Sequence, residues 1–458
     1  MADEWRLSDV AEIIMGQSPP GETYNEYREG LPFFQGVADF GYRHPTPRVY
    51  CSKPSRIAQP GDILLSVRAP IGRVNVADRL CAIGRGLSII RAKNRYNARY
   101  LEFALRYLEP HWHAIEGSGS VFGNATRSDL EKLAIPWPEG DADRQAIAHI
   151  LGTLDDKIEL NRRMNETLEA MARALFKSWF IDFDPVHRNI ARRTGQTQPS
   201  PGPRPPSPSG RGAGGEGAQD GRGDYRGGYD FSELVGEGGI EAFDALFPDS
   251  FQDSPLGKIP EGWSVRRLDV VAHFLNGLAL QKYPPNGDAF LPVIKIAQLR
   301  KGSTEGADRA AADLPQEYVV QDGDVLFAWS GSLEVVIWCG GKGALNQHLF
   351  KVTSRHYPKW FYYFWTKEHL PTFQAIASGK ATTMGHIQRH HLTEAKVLVP
   401  PAELVDAMDS VFGPIVQAIV GNNLQSRTLA NLRDTLLPKL ISGEVRVPLS
   451  QSPAEVTT

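Results

Sequence analysis

Two long stretches of the chain have mostly apolar residues at positions separated by alternating steps of four and three. In the first stretch these positions are Ile147, Leu151, Leu154, Ile158, Asn161, Asn165, Leu168, Ala172, Leu175 and Trp179. In the second they are Met408, Phe412, Ile415, Ile419, Asn422, Ser426, Leu429, Arg433, Leu436 and Leu440, each 261 residues further on. A seven-residue period is typical of coiled-coil helices, in which polar seam residues fix the register at a cost in stability.

A single stretch of this kind would also fit an amphipathic helix lying on a globular core. Two of them at equivalent places favour a coiled coil. Each would span about 33 residues, or roughly 50 Å at 1.5 Å per residue. We predict that the two helices pack antiparallel and that their seam contains every position above except Ala172, Trp179, Arg433 and Leu440.

The rest of the chain is also duplicated, with an offset near 261 residues. Arg6–Gly16 aligns without gaps on Arg267–Gly277, and five of the eleven pairs are identical. Short motifs then recur in the same order, such as Gln59-Pro-Gly-Asp-Ile-Leu and Gln321-Asp-Gly-Asp-Val-Leu. A repeat this long indicates two similar domains and excludes a solenoid, whose repeats are about 20–50 residues long.

Each half begins with short strand-like runs and ends in a long helix. The runs are Asp62–Val67, Ser88–Arg91, Asp324–Trp329 and Leu349–Thr353. The predicted fold class is α+β, with two similar mixed α/β domains joined by the two antiparallel coiled-coil helices in a pseudo-twofold arrangement.

The predicted domain boundaries follow from these patterns. The first globular domain covers 1–140 and the first heptad helix 141–185. A Gly/Pro-rich linker covers 186–239. The second domain, with a small helical piece at its start, covers 240–400. The second heptad helix covers 401–446 and a tail covers 447–458. Within the linker, Gly195–Gly228 holds 17 Gly or Pro in 34 residues, which favours a tether over a packed domain. Its arginines leave nucleic-acid contact open.

Composition narrows the class of protein. The chain has 458 residues, 41% hydrophobic and 22% charged, and these values are ordinary for a folded protein. The apolar runs are short, such as Val335–Trp338, and the N-terminus does not resemble a secretory signal. Three widely separated cysteines predict neither a disulfide framework nor a metal site, so we expect a cytoplasmic protein.

The net charge of −3 does not indicate a nucleic-acid partner, but its distribution does. Residues 43–99 contain twelve Lys or Arg and only two acidic residues, Asp62 and Asp78. This excess predicts a basic surface. The alternative is a solvated surface whose charge is balanced by acidic residues elsewhere in the fold.

No motif for catalysis stands out. Gly379-Lys380-Ala381-Thr382 lacks the glycine and hydroxyl spacing of a phosphate-binding loop. His386, His390 and His391 lack an evident third metal ligand with supporting residues, so we predict no metal site. Asp182 and Asp184 fit the exit of a helix before Pro185 better than a pair of catalytic carboxylates.

Taken together, the duplication and several local motifs resemble the specificity subunit of type I restriction–modification systems. The motifs are Pro260-Glu-Gly-Trp263, Arg144-Gln-Ala-Ile-Ala, Ser178-Trp-Phe-Ile-Asp-Phe-Asp-Pro-Val and Leu437-Pro-Lys-Leu-Ile-Ser-Gly-Glu-Val445. The resemblance covers nearly the whole chain. The Gly/Pro tract departs from the family pattern and leaves the spacing between the two halves uncertain.

The resemblance implies a non-catalytic subunit that addresses a complex to double-stranded DNA. Each globular domain would be a target-recognition domain that reads half of a bipartite sequence, and the coiled coil would set the spacer. Two methyltransferase subunits would dock on it and restriction/translocase subunits would join, with no membrane partner. S-adenosylmethionine, ATP and Mg²⁺ would be held by those partners, so this chain would need no cofactor.

Within these domains we expect DNA contacts from donors on basic or small-residue loops. The candidates in the first domain are Arg68, Arg73, Arg85, Ser118, Ser120, Asn124 and Arg127. Those in the second domain are Lys295, Gln298, Arg300, Asn346, Gln347, His348, Lys380, Thr382, Thr383, Gln388 and Arg389. A role in supporting the fold is the alternative for each of them. Two alternative functions also remain: a coiled-coil scaffold for proteins, or a self-contained restriction or modification enzyme.

Overall fold

The structure, a computed structural model, describes residues 4–110, 112, 124–195, 243–379 and 385–447. It divides into two compact units. The first unit contains Met1–Glu159 together with Thr428–Thr458, and the second contains Leu160–Arg427. Both units therefore include a part of each long helix.

Short strands build the globular part of the first unit. They are β1 (Glu4–Arg6), β2 (Ala11–Met15), β3 (Tyr24–Asn25), β4 (Leu31–Phe34), β5 (Val49–Cys51), β6 (Ile57–Ala58), β7 (Ile63–Ser66), β8 (Val74–Val76), β9 (Cys81–Ile83), β10 (Leu87–Ala92) and β11 (Ala134–Pro136). One sheet has the order β2-β10-β7-β8 and another β3-β5-β4-β9-β6, while β1 pairs with β11. Buried Leu, Ile and Phe residues on these strands fill the space beneath and between the sheets.

The second unit repeats this plan. Its strands are β12 (Phe251–Ser254), β13 (Gly257–Pro260), β14 (Ser264–Arg267), β15 (His273–Asn276), β16 (Phe290–Ile294), β17 (Arg309–Ala311), β18 (Val319–Val320), β19 (Val325–Ala328), β20 (Glu334–Ile337), β21 (Gly343–Leu345), β22 (Leu349–Thr353) and β23 (Lys396–Val399). The sheets have the orders β15-β22-β19-β20 and β17-β16-β21-β18, and β14 pairs with β23.

The strand registers show that the two halves are copies of one framework. Leu64 on β7 pairs with Ile89 on β10, and Leu326 on β19 pairs with Lys351 on β22, both 262 residues later. Each half also has a parallel pair among antiparallel ones, β4 with β9 and β16 with β21. The predicted fold class of two similar mixed domains with long helices is therefore confirmed.

Helices complete each half. Those of the first half are Leu7–Val10, Ala98–Tyr107 and Arg127–Glu131, followed by the first long helix, Asp141–Phe180. Those of the second half are Leu268–Val271, Ile296–Lys301, Lys359–Ser378 and Arg389–Glu394, followed by the second long helix, Ala402–Ile441. The heptad pattern thus places each long helix close to its observed bounds.

Within the second unit, the two long helices run antiparallel past each other through a polar layer. Asn161 Nδ2 donates to Gln425 Oε1 at 2.8 Å and to Ser426 Oγ at 3.2 Å. Four residues further along the first helix, Asn165 exchanges side-chain amide hydrogen bonds with Asn422 and Asn423, each 2.9 Å long. The polar residues at the predicted seam therefore face one another and fix this register.

The predicted seam positions lie on the inner faces of the long helices in both units. Those that are buried are Ile147, Leu151, Ile158, Asn161, Met408, Phe412, Ile415 and Ile419. Those that are half-buried are Leu154, Asn165, Leu168, Leu175, Asn422, Ser426, Leu429 and Leu436. In the first unit Ile147 and Leu151 share an apolar cluster with Leu440 and Ile441.

The base of the second unit is rich in aromatic side chains. Phe412 of the second long helix stacks on Trp360, with ring centroids 4.4 Å apart. It also meets Trp179 of the first long helix edge-on at 5.3 Å. All three rings are buried, so this cluster fixes both long helices to the recognition half that lies between them in sequence.

The predicted linker begins too early. The first long helix ends near Phe180, but Phe183 adopts a left-handed conformation with φ of 53° and a further helix, Asp184–Thr194, follows. Pro185 lies in the first turn of that helix, where its missing N–H costs nothing, and it therefore starts a helix where we expected an end. The remaining linker, 196–239, lies outside the described residues.

The second long helix is long and apolar enough to cross a membrane by length and composition. Within its apolar 18-residue window, 44% is buried inside the protein. Sequence inspection did not single it out because its apolar residues are spread at heptad spacing. A helix that packs on a core has the same composition.

Candidate nucleic-acid interface

In the first half, four connecting segments meet at one end of the main sheet. Val67 N–H donates to Gly86 O and Ala125 N–H donates to Val67 O, both at 2.9 Å. These bonds place Arg68 opposite Asn124 in an isolated β-bridge. We call Gln35, Arg68, Arg85, Gly86 and Asn124 the first loop junction.

The second half builds the corresponding structure with the same bonds. Trp329 N–H donates to His348 O at 3.3 Å, and Ile387 N–H donates to Trp329 O at 3.1 Å. Ser330 then lies opposite His386 in an isolated bridge. We call Lys295, Ser330, Gln347, His348 and His386 the second loop junction.

Glycine is required where the segments approach most closely. A Cβ atom on Gly16 would lie 2.1 Å from the carbonyl oxygen of Gly84, and one on Gly277 would lie 2.2 Å from that of Asn346. Gly16 and Gly277 are also paired by the sequence repeat. The close approach therefore belongs to the shared framework and holds both junctions in place.

The first loop junction carries unneutralised positive charge. Arg68 and Arg85 are exposed, and no carboxylate among the described residues forms an ion pair with either guanidinium group. The backbone N–H of Arg85 donates to Ser18 Oγ at 3.3 Å, which holds the loop and leaves the side chain free. Both arginines are thus available to a base edge or a phosphate.

Much of the basic segment 43–99 is neutralised by tertiary contacts. Six of its twelve cationic residues form ion pairs: Arg43, Arg48, Arg73, Arg79, Arg91 and Arg99. Arg79 and Arg91 pair with Asp78 and Asp62, the two acidic residues of the segment itself. Acidic residues elsewhere in the fold pair with Arg43, Arg48, Arg73 and Arg99, and Glu12 also lies 3.6 Å from Arg91, so the alternative explanation holds for part of the segment. The sequence count therefore overestimates the basic surface.

The other candidates of the first domain lie apart from the loop junction or outside the described residues. Arg73 forms an ion pair with Glu109, and both line a cavity of about 400 Å³ beside Arg433. Arg127 pairs with Glu131 one turn along their short helix, at 2.8 Å. Ser118 and Ser120 lie outside the described residues.

The second loop junction carries hydrogen-bonding groups in place of arginine. His348 Nδ1 lies 3.0 Å from Ser330 Oγ, and its Nε2 lies 3.3 Å from Gln347 Nε2. Ser330 is buried, whereas Gln347, His348 and His386 are half-buried. Ser330 therefore orients the His348 ring, and the side chains of Gln347, His348 and His386 remain partly accessible.

Asn346 is placed differently from our prediction. Its side chain is only 6% exposed, and its Oδ1 accepts the backbone N–H of His348 at 3.2 Å. This residue holds the loop that carries Gln347 and His348. The predicted direct DNA contact by Asn346 is not supported by this position.

The remaining candidates of the second domain are distributed around the junction. Lys295 forms an ion pair with Asp308, and Gln298 Oε1 accepts the Lys295 backbone N–H at 3.3 Å. Arg300 is exposed, and Arg389 lies over the Phe350 ring at 5.8 Å. Gln388 is the N-cap residue of the short helix Arg389–Glu394. Lys380, Thr382 and Thr383 lie outside the described residues.

Sequence reasoning missed Gln35, Ser330 and His386. The signal was present in the repeat, because Arg68 and Asn124 shifted by 262 residues give Ser330 and His386. Gln35 corresponds likewise to Lys295 through the parallel strand pairs.

A cluster of His390, His391 and Glu394 has its ligand atoms within 4.8 Å of one another. However, the Gln388 backbone N–H donates to His391 Nδ1 at 3.0 Å, so the ring proton lies on Nε2. Metal binding through Nε2 would move that proton to Nδ1, where it would face another N–H. The His391 ring thus caps the helix Arg389–Glu394, and this chemistry disfavours a metal.

Gly379 follows the last turn of the helix Lys359–Ser378. A phosphate-binding loop precedes a helix, so that its N–H groups point at the phosphates. The position of Gly379 is therefore opposite to that of a phosphate-binding loop.

Comparison with known proteins agrees with this duplicated architecture. The model of the type I restriction modification DNA specificity domain matches residues 2–170 and 260–411. The MjaIX specificity subunit of a type I restriction enzyme from Methanocaldococcus jannaschii is 24% identical over 467 residues, covering 97% of this chain and 94% of that protein.

Two further similarities are partial or distant. A putative MjaX specificity subunit from the same organism is 40% identical over 173 residues, which make up 36% of this chain and 40% of the length of that relative. The crystal structure of a type I restriction–modification S subunit from M. genitalium covers 95% of each chain with a TM-score of 0.50 and 14% identity, and this likeness shows the fold alone. Because the family model matches both halves and more than half of the chain, the protein belongs to the type I restriction–modification specificity subunits, which recognise DNA.

Proposed function

We propose that each half of the chain reads one half of a bipartite DNA sequence for a type I restriction–modification complex. The observation that carries this proposal is the pair of loop junctions. One backbone framework occurs twice, and its corresponding positions hold different side chains in the two copies. A protein that reads two different half-sites needs this combination of constant framework and variable donors.

The long helices would set the unread spacer between the half-sites. The polar layer of Asn161, Asn165, Asn422 and Asn423 supports this role, because polar seam residues allow one register and penalise the others. Half-sites of a bipartite target are separated on the order of one DNA turn, ~34 Å, between centres. The same helices would dock the methyltransferase subunits, two per chain.

The chain would supply recognition and no catalysis. Methylation would use S-adenosylmethionine held by the methyltransferase subunits, which act on a flipped adenine. Restriction/translocase subunits with ATP and Mg²⁺ would complete the complex. All of these proteins, with their double-stranded DNA target, would meet in the cytoplasm without a membrane partner.

A methyl-transfer assay with purified proteins tests the proposal. This chain alone, its cognate methyltransferase subunit alone and the two together are incubated with genomic DNA and radiolabelled S-adenosylmethionine. We expect label in DNA only with the mixture. Transfer by this chain alone would show a self-contained modification enzyme, and a stable complex that neither binds nor methylates DNA would show a protein scaffold.

A further inference from the structure

The two loop junctions correspond position by position, which allows their chemistry to be compared. The bonds from Val67 to Gly86 and from Trp329 to His348 are equivalent, so Arg68 corresponds to Ser330. The bridges Arg68–Asn124 and Ser330–His386 make Asn124 correspond to His386. The carbonyl groups that accept the first two bonds belong to Gly86 and His348, and the residues that precede them are Arg85 and Gln347.

A fourth pair follows from the parallel strands. Phe34 pairs with Ile83, and Ile294 pairs with Leu345, so the next residues, Gln35 and Lys295, occupy the same place. Gln35 belongs to the junction because a Cβ on Gly86 would lie 2.0 Å from the Gln35 carbonyl oxygen.

The corresponding positions differ in their hydrogen-bonding capacity. In the first junction two of the four hold arginine, whose planar guanidinium group presents paired donors that match guanine O6 and N7. Both are exposed and neither is paired with a described carboxylate, so no ion pair has to break before they bind. Asn124, also exposed, offers the paired donor and acceptor that match adenine.

The second junction has no arginine at these positions. Ser330 is buried against His348, Lys295 is paired with Asp308, and Gln347 and His386 are half-buried. Gln347 can form the two hydrogen bonds that select adenine. Gln347 and Arg85 therefore match different DNA bases, although the two residues occupy equivalent positions of the framework.

We infer that the first junction selects guanine through Arg68 and Arg85, and that His386 is a specificity-determining residue of the second junction. This inference rests on the proposed function, since it names the bases that each half would read. It assigns the difference between the half-sites to these four pairs of side chains, together with His348, which stands where the first junction has Gly86.

The test compares the methylated motif produced by variants of the full chain in cells that carry the cognate methyltransferase. Arg68→Gln and Arg85→Gln should each reduce the preference for guanine at a position of one half-site by about tenfold or more, and leave the other half-site unchanged. His386→Ala should relax the opposite half-site only.

Matched variants separate base reading from other effects. Arg68→Lys keeps the positive charge but loses the guanidinium fork, so overall methylation should persist while the guanine preference falls. Arg95→Gln in the first half and His356→Ala in the second alter exposed residues outside the junctions, and both should leave the motif unchanged. Thermal unfolding of each purified variant confirms that it is folded.

Three outcomes would overturn the inference. An unchanged motif with folded Arg68→Gln and Arg85→Gln would show that these residues do not read bases. A uniform loss of methylation at every site, restored by Arg68→Lys, would assign them to phosphates. A motif altered in both halves by one variant would contradict separate reading. Absence of any bipartite motif with the unaltered chain would instead contradict the proposed function.

Discussion

Arg433 Nη1 lies 2.6 Å from Asp155 Oδ1, which joins two side chains 278 residues apart in the sequence. Asp155 is fully buried and also accepts from Arg106 at 3.1 Å, while Arg433 bonds Tyr42 Oη at 2.9 Å. Burial is the largest single influence and lowers the Arg433 pKa, but the neighbouring Asp155, Tyr42 and Asp434 together outweigh it, so the Arg433 pKa is raised. This ion pair fixes the end of the second long helix within the N-terminal unit.

Breaking this pair should destabilise the first unit. We expect Arg433→Ala to lower the free energy of unfolding by about 1.5–3 kcal/mol, because the buried Asp155 loses one charged hydrogen-bond partner and keeps Arg106. Urea denaturation followed by tryptophan fluorescence measures the effect. Asn431→Ala is the control, since Asn431 is exposed on the same helix. Equal stability of the two variants would show that Arg433 contributes little.

A second ion pair should give a pH-dependent contribution. Arg427 contacts both carboxylate oxygens of Asp322 at 2.8 Å, and these hydrogen bonds lower the Asp322 pKa below its ordinary value of 3.8. A carboxyl group whose pKa is lower in the folded than in the unfolded state stabilises the fold at pH values above its unfolded pKa. This stabilisation is lost as the pH falls through the folded pKa.

The change Arg427→Gln should therefore cost about 1 kcal/mol at neutral pH, since the pair is partly exposed. The difference from the unaltered chain should stay constant down to about pH 5 and shrink below pH 3.8. Denaturant unfolding at several pH values measures it. A difference that grows on acidification would contradict the assignment to Asp322.

The polar layer predicts a double-mutant result. Asn165→Leu leaves the amides of Asn422 and Asn423 without their partner and should cost about 1–3 kcal/mol. Replacing Asn165 and Asn422 together by leucine should recover part of this loss, because the Asn422 amide is then removed and only Asn423 is left without its partner. The free energies of unfolding of both variants, compared with Asn422→Leu, give the coupling. Additive losses would indicate independent side chains.

The segment 196–242 should not affect the spacing of the half-sites. Arg188 forms two hydrogen bonds with the buried carboxylate of Asp244, at 2.6 and 2.7 Å. Asn189 Nδ2 donates to the carbonyl oxygens of Asp244 and Phe247, at 2.7 and 3.0 Å. These contacts hold the residues on both sides of the segment together, so its length is not transmitted to the helices.

We expect that replacement of 196–242 by a short Gly/Ser linker leaves the methylated motif and its gap unchanged. Arg188→Ala in the shortened chain should lower the stability of the second unit, since it removes the contact to Asp244. A changed gap in the shortened chain would show that the segment does set the spacing.

The elements predicted best from the sequence are those fixed by local periodicity. The runs Asp62–Val67 and Asp324–Trp329 contain the strands Ile63–Ser66 and Val325–Ala328, and the heptads locate both long helices. These patterns arise because one face of each helix or strand is buried, and this burial is visible in the sequence as a regular spacing of apolar residues.

The elements predicted less well depend on contacts between distant residues. The ion pairs of Arg43 with Glu102 and of Arg73 with Glu109 remove charge that a count along the chain assigns to the surface. His386 became a candidate only when the backbone placed it beside Ser330. Pro185 lies at the start of a helix because Val186 packs into a buried apolar cluster. Local sequence propensity does not reveal this tertiary contact.

Adenine methylation across a genome tests the central claim most directly. Single-molecule sequencing would compare cells that express this chain and its cognate methyltransferase with cells that express the methyltransferase alone. We expect one new methylated motif with two specific parts and a gap of constant length, present only with this chain. An identical methylation pattern in the two strains, despite co-purification of the two proteins, would contradict its role as the DNA-recognition subunit.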